Sequence, residues 1–213
     1  MEREEMILVT GASGYVGNNL VRRLVQAGKP VRAMVYSREK AEARLAAVLG
    51  QIEIVTGDVT RPETLAPAMA GVDAVVHLVA VAIEQGDQTY ERVNTQGTII
   101  IVNAAKAAGV SRFVNMSQNK ADSASPYRFL ASKGHAQDYV AASGLDWIAL
   151  RPSVIWGPQD EFANMQARLI KLTPLIFPIV GDGQARFQPV WVGDVIEAAA
   201  RCLDEDIATR QAY

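Results

Sequence analysis

Cysteine is nearly absent from this 213-residue chain. The one thiol, Cys202, excludes an internal disulfide and any metal cluster built on cysteine. Two histidines, His77 and His135, are too few for a histidine-rich metal site. Neither sign of charge dominates: 21 basic and 23 acidic residues leave a net charge of −2. Without a basic excess, nothing draws the chain toward nucleic acid. Long apolar runs are missing too. The greasiest stretch, residues 169–180, is too short to span a bilayer and carries Lys171, Pro174 and Pro178. The opening Met-Glu-Arg-Glu-Glu is charged and lacks the apolar run of a secretory signal. A cytoplasmic protein with no transmembrane segment is the expectation.

What remains is an ordinary globular mix, 49% hydrophobic and 21% charged. The length suits one large domain, or one domain with a small annex, able to bury a core unaided. Short apolar runs alternate with helical patterns along the chain. Residues 6–9, 31–36, 52–55, 74–80, 112–116 and 147–150 read as strands. Residues 15–26, 39–49, 62–69, 89–108, 126–143, 160–171 and 195–203 read as helices, several closed by a glycine such as Gly109 or Gly144. This alternation predicts an α/β fold, a doubly wound parallel sheet with right-handed crossovers. Composition shifts only after Pro152, where prolines, tryptophans and apolar residues gather. Residues 1–151 are therefore expected to form a nucleotide-binding core. Residues 152–213 are expected to add substrate-side segments and a returning helix to the same domain.

The most informative segment runs Thr10-Gly11-Ala12-Ser13-Gly14-Tyr15-Val16-Gly17, between the first strand and the first helix. Gly11 allows the tight turn, Gly14 lets the backbone approach a pyrophosphate, and Gly17 permits close helix–strand packing. Free N–H groups of Ser13, Tyr15 and Val16 at the helix start would meet the phosphates. A bare glycine turn is the plain alternative, but strand, loop and helix stand in the order that a dinucleotide site requires.

Thr-Gly-x-x-Gly-x-x-Gly resembles the short-chain dehydrogenase/reductase superfamily, in its extended and atypical branches. Gly57-Asp58-Val59 resembles the adenine-contacting segment of that family, and Val76-His77-Leu78-Val79-Ala80 the strand end that lines the cofactor ribose. Asn94-x-x-Gly97-Thr98 resembles the helix that follows. Leu150-Arg151-Pro152-Ser153-Val154-Ile155, Gly181-Asp182-Gly183 and Phe187-Gln188-Pro189-Val190 are similar to the atypical group that includes the nucleotide-binding accessory subunit of respiratory complex I. The resemblance implies a Rossmann fold and a nicotinamide dinucleotide. It makes Pro152 and Val154 candidates for one wall of the nicotinamide.

An acidic residue about twenty positions beyond the loop would favour NAD. Here the second strand runs into Tyr36-Ser37-Arg38. Ser37 can donate to a 2′-phosphate and Arg38 can fork onto it, so NADP is favoured with NAD open. The alternative is that Arg38 pairs with Glu42 on a solvated helix entrance.

Dehydrogenases of the superfamily use a serine with a tyrosine and lysine four apart on one helix face. The lysine holds the nicotinamide ribose and lowers the tyrosine pKa, the tyrosine passes a proton, and the serine polarises the substrate oxygen. Lys133 fits the lysine and Ser117 the serine. The residue four before Lys133 is Phe129, which has no proton to give. Tyr127 points about 200° away from Phe129 on a helix. Two readings follow. In one, hydride passes to an apolar, quinone-like acceptor that takes its proton from water. In the other, the chain is a cofactor-holding accessory subunit or redox sensor without turnover. A sugar-nucleotide epimerase would need the same tyrosine and a fuller cap. The apolar residues 172–180 are candidates for the wall of an acceptor pocket, and equally for cover over the core or for docking a partner. The chain stops at Tyr213, short of the usual family cap, so an open substrate side is expected. A homo-oligomer or a larger complex is compatible with all of this. His77 reads as a satisfied core histidine, Asn94 and Asn103 as cross-braces, and Cys202 as a packing residue.

Overall fold

Six segments of four or five residues make the centre of the molecule: β1 (Ile7–Thr10), β2 (Val31–Val35), β3 (Glu53–Thr56), β4 (Ala74–His77), β5 (Arg112–Met116) and β6 (Asp146–Leu150). The computed structural model describes residues 5–172, 182–184, 186–204, 207 and 209–213. All four residues of β1 and of β4 are buried, as apolar runs covered on both faces must be. A last strand, β9 (Gln211–Ala212), joins the edge, giving one parallel sheet in the order β3-β2-β1-β4-β5-β6-β9. This is the doubly wound Rossmann arrangement. The strand order reverses between β1 and β4, and the crevice at their carboxyl ends is where such sheets hold ligands.

Helices cover both faces. On one side α1 (Tyr15–Gln26) and α7 (Val192–Arg201) close a core of Val9, Leu20, Leu24, Val76, Val114 and Ala199. On the other, α3 (Ala66–Met69), α4 (Gly97–Ala107) and α5 (Arg128–Ala141) pack over Leu8, Val75, Ile101 and Phe113. Burying each such leucine or phenylalanine contributes about 1.5–3 kcal/mol. A separate pair, β7 (Ile155–Trp156) and β8 (Val190–Trp191), lies outside the main sheet, with α6 (Phe162–Leu172) between them in sequence. Among the described residues no helix is long and apolar enough to cross a membrane.

Several boundaries differ from the sequence reading. The expected fourth strand stops at His77, because Leu78, Val79 and Ala80 leave the ladder to line the crevice. Residues 39–49 split into α2 (Arg38–Arg44) and a tighter 3₁₀ segment, Ala46–Gln51. The long helix after β4 opens as a π-helical stretch, Tyr90–Gln96, before α4 begins. Residues 126 and 127 are not helical: Tyr127 is extended and α5 starts at Arg128. Of the apolar residues 172–180, all but Leu172 lie outside the described residues.

Candidate cofactor site and catalytic segment

The glycine loop is held by its own backbone. Gly11 adopts φ +68°, a conformation that favours glycine, and its carbonyl accepts the Gly14 N–H at 2.9 Å. A Cβ on Gly17 would stand 2.2 Å from the Gly11 carbonyl oxygen, so α1 crosses the loop at a distance only glycine permits. Gly14 caps α1 without a side-chain bond, and the first turn carries no acid. The positive end of a twelve-residue helix is therefore left open to an anion. Asn18 braces this turn. Its amide donates to the carbonyls of Gly14 and Tyr15 and to Gln159 Oε1 at 2.7–2.9 Å.

A cavity of about 290 Å³ opens beside the loop at the carboxyl ends of β1, β2 and β4. Gly11, Ser13 and Gly14 line it together with Asp58, Val59, Leu78, Val79 and Ala80. These eight expected cofactor residues come together there. Asp58 is organised locally: its Oδ1 accepts the Thr60 N–H and hydroxyl, both at 2.8 Å.

Farther along the sheet, Lys133 is 6% exposed, in the middle of α5. Its ammonium donates to the Met116 carbonyl at 2.6 Å, at the end of β5. Burial lowers its pKa to about 8. Ser117 follows directly. Its N–H donates to Leu150 at 2.7 Å, while its buried hydroxyl has no hydrogen-bond partner among the described residues. An orphaned hydroxyl on the residue after the carbonyl that holds a buried ammonium fits a ligand's hydroxyl or carbonyl oxygen. Together with the open helix end and the glycine crossing, it fits a dinucleotide laid across the sheet.

A family model described as NAD(P)H-binding matches residues 11–167. The chain belongs to that family, as an atypical short-chain dehydrogenase/reductase. Among its relatives, a 3β-hydroxysteroid dehydrogenase/isomerase of Mycobacterium tuberculosis is 31% identical over 97% of this chain and 63% of its own length. An NAD(P)H azoreductase of Xenophilus azovorans is 29% identical, over 98% of this chain and 66% of its own. Subunit 9 of the mitochondrial NADH dehydrogenase alpha subcomplex from Arabidopsis thaliana is 27% identical, over 93% and 50%. The chain thus spans between one half and two thirds of these relatives. The same fold recurs in a dTDP-glucose 4,6-dehydratase of Streptomyces venezuelae with NAD bound. Its TM-score is 0.80 at 25% identity, over 97% of this chain and 74% of that one.

For a member of this dehydrogenase/reductase family, the rest of the expected site is unevenly laid out. Tyr15, Val16 and Gly17 sit in the first turn of α1 behind the loop. Ser37 and Arg38 do not line the cavity. Ser37 caps α2 by accepting the Lys40 N–H at 3.4 Å, and Arg38 pairs with Glu42 at 3.0 Å on an exposed face. Pro152 and Val154 are half-buried beyond β6, and their carbonyls accept from Asn119 and Val190. Where the family tyrosine would stand, Phe129 meets Tyr90 edge-on at 5.5 Å. Tyr127 is 70% exposed at the N-cap of α5.

The secondary readings fare better. His77 is a satisfied core histidine, with Nδ1 on Thr10 at 2.8 Å and Nε2 on Thr98 at 3.1 Å. Burial first, and the Lys133 charge second, lower its pKa to about 3. Asn94 ties Val81 to Ser132, and Asn103 accepts from Tyr139. Cys202 is buried, and burial raises its thiol pKa to about 11.

The cavity also includes residues that sequence reasoning passed over: Met34, Tyr36, Thr60, Gln88 and Val93. Tyr36 had a signal, since it directly follows β2. Gln88 had none, because it arrives from a loop whose path no local pattern encodes.

Proposed function

We propose that the chain is a reductase that prefers NADP(H) and reduces an apolar, quinone-like acceptor. The observation that carries this reading lies at the carboxyl edge of β5, where the Met116 carbonyl holds the buried Lys133 ammonium and the next residue, Ser117, has an orphaned hydroxyl. The bound dinucleotide would supply the hydride. Around it, the glycine loop and the open end of α1 hold the pyrophosphate. Lys133 holds the nicotinamide ribose, and Ser117 donates to the acceptor oxygen. Pro152 and Val154 flank the ring. Phe129 offers no proton, so the acceptor oxygen takes its proton from water, a route that suits a quinone better than a simple ketone.

Three things support the finer points. No carboxylate stands at the end of β2. Arg38 is free to turn from Glu42 to a 2′-phosphate, because an exposed i,i+4 pair is worth only about 0.3–0.5 kcal/mol. An apolar acceptor accords with the apolar run at residues 172–180 and with a relative named for a steroid.

Phe129 also favours a second reading, a cofactor-holding accessory subunit or redox sensor without turnover. A relative named as a subunit of NADH dehydrogenase accords with it. Fluorescence titration with NADPH and NADH, followed by menadione in the same cuvette, separates the two. The reductase reading expects tighter NADPH binding and oxidation on adding the quinone. Binding without oxidation supports the accessory reading, and no binding of either nucleotide overturns both. Phe129→Tyr is expected to add carbonyl reductase activity if the pocket is a decayed dehydrogenase site.

A further inference from the structure

We propose that Asn115 positions the Lys133 ammonium through a buried water held between β5 and α5. The inference rests on the reading above, in which Lys133 holds the nicotinamide ribose.

Asn115 sits near the end of β5 and is 1% exposed. Val114 and Met116 belong to the core under α1 and α7. Phe113 and Asn115 therefore point to the opposite face, which α4 and α5 cover. In the ladder Asn115 lies beside His77 of β4, and His77 meets Phe113 at 6.0 Å on that face. Neither the amide nitrogen nor the amide oxygen of Asn115 has a hydrogen-bond partner among the described residues. His77 supplies none, because Thr10 and Thr98 occupy both its ring nitrogens. A carboxamide buried with both ends unpaired is costly, and an internal water is the usual remedy.

The Lys133 ammonium lies on the same face. The carbonyl that holds it belongs to Met116, the residue between Asn115 and Ser117. Its charge also reaches His77, the ladder neighbour of Asn115. The Ser117 N–H turns back to the Asn115 carbonyl at 3.1 Å, so the chain curls there and draws the two residues together. An ammonium has three donors and no acceptor, and one donor is spent on Met116. Water can accept from the ammonium and donate to the Asn115 amide oxygen. Hydrogen bonds to the charged form favour it. Asn115 thus sets where the ammonium stands and up to what pH it keeps its charge. The titratable group facing Lys133 from β4 is His77. Arg112, Asp146 and Lys106 stand at the far ends of β5, β6 and α4. In the turn Tyr90–Gln96, Glu91 and Arg92 are exposed and engaged by Gln96 and Asp87.

The test follows NADPH affinity by nucleotide fluorescence from pH 6 to 10 and needs no substrate. The natural chain is expected to begin losing affinity near pH 8, where Lys133 gives up its proton. Asn115→Leu is expected to move that break down by about one pH unit, the scale of one lost hydrogen bond to a charged group. Asn115→Asp is expected to move it up, since a carboxylate beside the ammonium favours its charge. A purely structural role for Asn115 would change thermal stability and leave the break in place. If Asn115→Leu does not fold, Asn115→Asp decides alone. A break that stays near pH 8 overturns the inference and leaves Lys133 at the ribose. A natural chain with no break in this range, or no NADPH binding, overturns both.

Discussion

The strands β1 and β4 with helix α1 differ from the segments β7, α6 and β8 in how they are held. In the first group every strand residue is buried, and the helix crosses the loop at backbone contact. In the second, the strands are two residues long and α6 has no buried residue among its eleven. Phe162, Met165, Ile170 and Leu172 of α6 are all exposed. The dinucleotide end is fixed by main chain, where almost any substitution is costly. The segments on the other side are shaped by side chains that can be exchanged at little cost in stability. A fold that hosts many functions gains from that division.

The sharpest way to break the contrast is to put one carbon into the rigid half. Gly17→Ala sets a Cβ 2.2 Å from the Gly11 oxygen and 2.8 Å from the Ala12 Cα, both backbone atoms. Neither can yield without moving the phosphate loop. We expect a loss of about 3 kcal/mol, the upper part of the range for overpacking, and NADPH binding weakened at least 100-fold. Thermal unfolding and nucleotide titration would check both. Unchanged binding would mean that the loop does not hold the phosphates.

The next effect lies where the sheet meets α5. His77 is buried neutral, with a pKa near 3 in the folded chain against 6.5 when unfolded. The unfolded chain takes up the proton first. The stability that depends on a neutral His77 is therefore complete above pH 6.5 and lost as the pH falls toward 3. Between pH 7 and pH 5 this amounts to about 2 kcal/mol. Lys133 behaves in the opposite range. Its folded pKa near 8 lies below the ordinary 10.5, so stability rises as the pH climbs from 8 to 10.5. Denaturant midpoints of the natural chain and His77→Gln should converge as the pH drops from 7 to 5. Parallel curves would show that His77 takes up its proton as readily in the folded chain as in the unfolded one.

The same division explains what could be read from the sequence. Six strands and the glycine loop were legible because each is set by local pattern: an apolar run, a breaker, a helix start. The pairing of Lys133 with Met116 was not, because it joins residues 17 apart in sequence across a strand end and a helix. Only the family resemblance pointed to Lys133 at all. The end of β4 was misread since Leu78, Val79 and Ala80 are as apolar as a strand, yet serve as cavity wall. Gly134 went unnoticed although a Cβ there would meet the backbone of Ser123 at 2.1 Å. That contact brings the loop after β5 against α5 next to Lys133. Strands of two residues, β7, β8 and β9, are too short to carry any periodicity.

The smallest effect on stability belongs to α6, and it tests the other half of the contrast. Phe162 and Met165 lie one turn apart. Phe162 meets Phe187 at 5.5 Å, and Trp156 of β7 meets Trp191 of β8 at 4.7 Å. Exposed apolar side chains add little to folding, so Met165→Ala should change unfolding free energy by no more than about 0.5 kcal/mol. Nucleotide affinity should not move, because no described residue of the helix lines the cavity beside the glycine loop. If α6 forms part of the acceptor wall, the KM for menadione should rise several-fold while kcat holds, since uniform binding is what the lost side chain supplied. A drop in kcat with KM unchanged would instead tie α6 to the reacting geometry. A large loss of stability would show that this helix is core after all, and that the two halves are built alike.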